Sequence, residues 1–371
     1  MQRKFAFIVG AAALVFAVSC STDVDVNGPY SSQTVIYGIL DPALDTQFVR
    51  INKTWLGDGN NFDHALVRDS SEYPTGAFEG RVDVMNGLNV VSSFPLEEIE
   101  LDNKSDDGIF FAPEHKAYFF PTPNGLDANR DYRLVLEFPD RTVESETDLV
   151  GVPLGAIQFP PAGNQTFNLN WASVNLAGNP TYFNQTFRWT SAQGARRYEA
   201  SLLVYFTELL YTDASHTTLV SETPRVLEWK LGNVITNQTL GGETINLPAS
   251  GEAFYNFLAS RLTPDNRVRR EFGIWDPVLQ HPKCFDFVLT IANDEFNTYL
   301  DVNQPVTTIV QERPAYTNVV NGLGIWASRA NDRVNGVGIT EGAMKELVQG
   351  NITNALNFCS SNPFNEFYCG D

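Results

Sequence analysis

From Gln33 to Glu146 the chain alternates short β-branched and aromatic runs with turn residues, a rhythm too short for helices that commits this stretch to hairpins. Gln33 to Leu40 stops at the Asp41-Pro42 turn, and Gln47 to Trp55 alternates up to Gly57-Asp58-Gly59-Asn60. These two runs read as a first hairpin. Arg81 to Met85 and Asn89 to Phe94 flank Asn86-Gly87, a dipeptide that supplies the positive φ angles of a tight turn, and read as a second. Ile109 to Phe111, Ala117 to Phe120, Asp131 to Phe138 and Thr142 to Glu146 complete the set. The fold class expected is mainly β.

At this spacing residues 33–150 are expected to form one β-sandwich, immunoglobulin-like in strand count. Residues 151–165, with Pro153, Pro160 and Pro161, read as a stiff linker. In the next segment, Thr186 to Trp189, the Gln193-Gly194 turn and Tyr198 to Tyr205 resemble the strand pair around the buried Trp of a fibronectin type III module. Trp189 and Tyr198 are therefore read as core. Arg225 to Leu231 and Cys284 to Ala292 read as further strands. Ser250 to Leu262 carries Phe254, Phe257, Leu258 and Leu262 at helical spacing, so residues 166–312 are expected to be a fibronectin type III-like β-domain with a short helical insertion. Residues 313–371 read as a C-terminal extension. It holds the Gly-rich run Val320 to Trp326 and a short amphipathic helix at Glu341 to Val348.

The first nineteen residues have a different character. Arg3 and Lys4 precede an apolar run from Phe5 to Val18 that closes on Ser19-Cys20, the pattern of a secretory signal peptide. The small residue before Cys20 makes it resemble a bacterial lipoprotein signal, although Ala17 stands where such signals usually carry Leu. The resemblance implies that Cys20 is acylated, begins the mature chain and holds it in a membrane lipid layer. Residues 20–32 then form the lipidated linker, and Asp23 and Asp25 resemble the acidic export tag of surface lipoproteins in Bacteroidota.

The full chain of 371 residues carries a formal charge of −19, and losing Arg3 and Lys4 with the signal takes the mature chain to −21. Such a balance argues against nucleic acid as a partner. An oxidising compartment permits a disulfide among the remaining cysteines, Cys284, Cys359 and Cys369. The pair expected is Cys359 with Cys369, which closes the short loop through Pro363; Cys284 with either is the other option. No CxxC pair exists, and no metal or cofactor is expected.

The acylated cysteine with its acidic followers, the strand Thr34-Val-Ile-Tyr-Gly-Ile-Leu-Asp41, the strand Phe48 to Gly57 and the segment Asn318 to Trp326 together resemble an uncharacterised family of Bacteroidota outer-membrane lipoproteins. The resemblance implies company with TonB-dependent transporters, and it carries no catalytic residue.

The search for chemistry agrees with a non-enzyme. His64, His115, His216 and His281 sit in no H-E-x-x-H motif, and G-x-S-x-G is absent. Asn103, Ser105, Asp107, Gly108 and Glu114 fall at the ligand spacing of a calcium-binding loop, but their flanks do not read as helices, so an acidic hairpin loop is the plainer reading. Five Asn-x-Thr sequons, at Asn52, Asn164, Asn184, Asn237 and Asn351, are matches by pattern only. The function expected is a lipid-anchored interaction subunit of an outer-membrane β-barrel transport or assembly complex, on the cell-surface face, with the periplasmic face as the other option. The alternative is a surface binding protein for a glycan or peptide, with Trp55, Trp171, Trp275 or Trp326 as stacking platforms.

Overall fold

The computed structural model describes residues 30–57, 60–151, 156–303 and 315–370. Strands β1 (Thr34–Leu40) and β2 (Thr46–Lys53) form the first hairpin. Its turn is held by Asp41, whose side chain accepts from Ala43 N, and by the buried Gln47 amide, which donates to Asp41 O at 2.9 Å. Strict alternation sends Ile36, Leu40, Val49 and Ile51 into the core and leaves Tyr37, Arg50 and Asn52 on the outer face. Two short helices follow, α1 (Asn61–Ala65) and α2 (Arg68–Ser71). Strands β3 (Glu79–Asn86) and β4 (Asn89–Pro95) turn at Gly87, whose φ is 61°.

Next come β5 (Glu97–Leu101) and β6 (His115–Pro121), then β7 (Asp131–Glu137) and β8 (Thr142–Thr147). The sheet β4-β3-β7-β8 packs over the hairpins β1-β2 and β6-β5, and Ile36, Phe120, Leu134 and Val143 lie in the core between them. The expected strand Ile109 to Phe111 is loop instead. Its Phe111 N donates to Ala65 O at 3.0 Å, so the apolar run packs toward α1 rather than joining a ladder.

Strands β9 (Ile157–Phe159), β10 (Asn168–Leu169), β11 (Ala172–Val174), β12 (Pro180–Tyr182) and β13 (Gln185–Thr190) open the second half. The long antiparallel pair β14 (Arg197–Tyr211) and β15 (Leu219–Ile235) follows, then β16 (Thr244–Ala249) and β17 (Val268–Phe272). The last strands are β18 (Ile274–Asp276), β19 (His281–Lys283), β20 (Phe285–Ala292), β21 (Gly322–Ile339) and β22 (Phe358–Ser360). Between these strands lie α3 (Gly251–Arg261), α4 (Asp294–Asn303) and α5 (Glu341–Gln349). Ser250 and Thr340 cap α3 and α5 by accepting from Ala253 N and Ala343 N. Trp189 and Tyr198 are fully buried with ring centroids 5.8 Å apart, as core residues should be. The fold is mainly β, with several sheets and few helices.

Two expected boundaries do not fall where the sequence put them. Within 151–165, residues 152–155 lie outside the described residues, and β9 is a paired strand of the sheet β16-β13-β9 rather than linker. Nor is 313–371 an appendage. The first half of β21, Gly322 to Ser328, runs parallel to β1, and the second, Arg329 to Val337, pairs antiparallel with β20. One strand thus belongs to both halves and fuses their sheets. Trp326 is buried in the N-terminal core and its Nε1 donates to Tyr132 O at 2.9 Å, while Ala330, Val334 and Val337 fill the other core. Close approach demands a glycine opposite Trp326: a Cβ at Gly38 would lie 2.3 Å from Trp326 Cε3.

Candidate functional site

The outer face of the β1-β2 hairpin forms the floor of a cleft of about 540 Å³, within the size range of small-ligand sites. Tyr37 and Arg50 sit directly opposite each other across the ladder, and Asn52 follows two residues along the same face. Lys53 at the end of β2, then Thr54 and Trp55 just past it, continue the wall. The β5–β6 loop closes the far side with Lys104 and Phe110, and α1 and the end of α2 add Asn61 and Ser71.

These side chains are held in place by one another. The Arg50 Nε donates to Asn52 Oδ1 at 2.9 Å, and the Asn52 amide donates onward to Ser71 O at 3.1 Å. Trp55 meets Phe110 edge to face at 5.9 Å between ring centroids. Lys104 donates to Phe111 O and its Nζ lies 5.6 Å from the Phe110 ring centroid, and the Lys53 Nζ lies 5.8 Å from that of Tyr73. Burial, and then the Arg50 charge, hold Lys104 below the usual lysine range. Among the described residues no Asp or Glu lines the cleft.

Other sequence-predicted residues are dispersed. Cys20 lies outside the described residues. Cys359 on β22 and Cys369 in the segment that follows it are joined, with Cα atoms 5.1 Å apart. Cys284 is a fully buried thiol whose pKa burial pushes up. Among the four tryptophans named as stacking platforms, Trp171 and Trp326 are wholly buried and cannot reach a ligand; Trp171 instead stacks on Phe254 at 5.3 Å. Trp275 is half-buried against Phe364 at 5.8 Å, and Trp55 lines the cleft. In the calcium-spaced loop Asp107 is engaged with Ser105, while Lys104 enters the cleft wall. Among the described residues no three His, Cys, Asp or Glu side chains gather as metal ligands, and no helix is long and apolar enough to cross a membrane.

Sequence reasoning missed Arg50, Lys53 and Lys104. The available signal was the alternation of β2, which puts Arg50 on the outer face with Tyr37, in a chain otherwise rich in acids.

No protein-family model matches the chain, and no curated protein matches it. Among solved structures it is similar to the C-terminal globular domain of an oligosaccharyltransferase from Pyrococcus abyssi, at 12% identity and a TM-score of 0.19. That match covers 88% of this chain and 57% of the archaeal one.

Proposed function

We propose that this chain is a lipid-anchored protein of the outer-membrane surface, held by an acylated Cys20, that captures a small ligand in the Trp55 cleft and does not transform it. The observation that carries the reading is the convergence of Tyr37, Trp55 and Phe110 with three cations on one concave site of ligand size. Among the described residues the cleft lacks the facing carboxyl pair that most glycoside hydrolases use. A panel of glycans and peptides screened by binding against wild type and Trp55→Ala tests it. A ligand held by wild type and lost by the variant is expected; equal binding by both would remove the cleft from the account.

A second reading has its own support. Phe62, Leu66 and Val67, on and between α1 and α2 beside the cleft, are 61%, 59% and 51% exposed, an apolar rim suited to docking on an outer-membrane β-barrel of the TonB-dependent kind. Gentle detergent extraction followed by mass spectrometry would then return a barrel protein at near-equal abundance. If the lipoprotein emerges alone, this reading falls and ligand capture stands by itself.

A further inference from the structure

We propose that the cleft takes a short anionic saccharide, carrying carboxylate or sulfate groups on sugar rings. The inference rests on the ligand-capture reading and names its ligand class. Its starting point is a local reversal of charge. The chain is strongly acidic, and most described Lys and Arg side chains sit in ion pairs, yet Arg50, Lys53 and Lys104 have no carboxylate partner among the described residues.

Glu72 after α2, and Glu98 and Glu100 on β5, are already engaged. Arg68 holds Glu72 at 2.6 Å and also Glu100, and Lys116 holds Glu98 at 2.9 Å. Arg68 and Lys116 thereby compensate these three acids, and the charge of Glu72 acts on Lys104 less than burial and the Arg50 charge do. Gathering like charges on half-buried ground is unfavourable by itself, and an anion seated between them removes the cost. Arg50 and Lys104 are also available. Arg50 commits only its Nε, to Asn52, which leaves the planar fork of the guanidinium for two oxygens of one carboxylate or sulfate. Lys104 commits one proton to Phe111 O and keeps two.

The rest of the wall selects the scaffold that bears the charge. Three aromatic rings from different segments, Tyr37 on β1, Trp55 after β2 and Phe110 on the β5–β6 loop, offer flat apolar surfaces to the C–H faces of sugar rings. The Asn52 amide and Thr54 hydroxyl stand between them for ring hydroxyls. The wider charge sets the length. Beyond a Debye length of about 8 Å at about 0.15 M salt the cleft cations no longer reach, and the surrounding acidic surface repels any polyanion that runs out of the cleft. A short acidic oligosaccharide fits both conditions, and a nucleic acid strand fits neither.

Isothermal titration of the detergent-solubilised mature lipoprotein tests this with three probes: an oligogalacturonate, a chondroitin sulfate oligosaccharide, and a neutral maltooligosaccharide of similar length. The expected result is binding of one or both acidic probes and much weaker binding of the neutral one. The two acidic arms decide between carboxylate and sulfate. Arg50→Gln and Lys53→Gln should each weaken the acidic probe by about tenfold, and raising salt from about 0.05 M to about 0.3 M should weaken it further. Lys230→Gln, which removes a cation on β15 that lines no part of the cleft, should change nothing, and thermal melts of all variants check that they fold. Binding of the neutral probe or a peptide with Trp55 dependence and no sensitivity to salt or to the cation variants would overturn the ligand class while leaving ligand capture intact. If no probe, acidic, neutral or peptide, binds wild type above the level of Trp55→Ala, both fall.

Discussion

Replacing Glu295 with Gln tests the electrostatics of the seam between the two halves. Glu295 lies in the first turn of α4, Asp148 follows β8, and the Asn293 amide lies between them, 2.9 Å from Asp148 Oδ1 and 2.6 Å from Glu295 Oε2. Burial, and then the charges of Asp148 and Asp294, push the Glu295 carboxyl up from an ordinary 4.5 to about 7. Burial pushes Asp148 up too. Asp131 acts on Asp148 and Tyr316 responds to Glu295, while the local cation, Arg196, is occupied by Asp294 at 3.3 Å. A carboxyl raised in the folded state binds its proton more tightly there than in the unfolded chain. Its stabilising contribution is therefore present below 4.5 and is lost as pH rises toward 7. At about 1.4 kcal/mol per pH unit the interval from 4.5 to 7 is worth about 3 kcal/mol, which solvent around a half-buried side chain screens to about 1–2 kcal/mol. Glu295→Gln has no proton to lose. In urea melts at about pH 5 and about pH 8, wild type should lose about 1–2 kcal/mol more than the variant across that interval. Equal pH slopes for the two proteins would refute the reasoning.

Two further predictions concern the frame. Trp326→Ala should cost about 3–5 kcal/mol, through the cavity and the Tyr132 carbonyl left without its donor, and the loss should appear in one cooperative transition because β21 serves both cores. Two separate transitions in calorimetry would contradict the fusion of the sheets. Cys20→Ala should release the protein from the membrane fraction; a variant that still sediments with membranes would remove the lipid anchor from the account.

Local chemistry made the hairpins legible. Asn86-Gly87 and Asp41-Pro42 announce their turns, and the apolar spacing of Ser250 to Leu262 and the amphipathic run Glu341 to Val348 announce α3 and α5. The charged strand β5, Glu-Glu-Ile-Glu-Leu, was not legible, because Glu is a poor strand former and only pairing with β6 defines it. Nor was β21, since its glycines read as turn and its partner β1 lies nearly the whole chain away. Asn318 exposes the logic: its side chain grips both Trp326 N and Trp326 O, fixing the strand's approach to the core. The cleft was half-legible. Trp55 stood out as an aromatic before a Gly-rich turn, whereas Lys104 was hidden in a loop with the ligand spacing of a calcium site, where its own side chain instead donates to Phe111 O.

The most direct measurement is hydrogen–deuterium exchange of the mature lipoprotein with and without a saturating oligogalacturonate. Slower exchange confined to the amides just past β2, around Thr54 and Trp55, and to the β5–β6 loop around Lys104 and Phe110 is the predicted result. Unchanged exchange at both places, or protection centred on the β14–β15 pair instead, would contradict it.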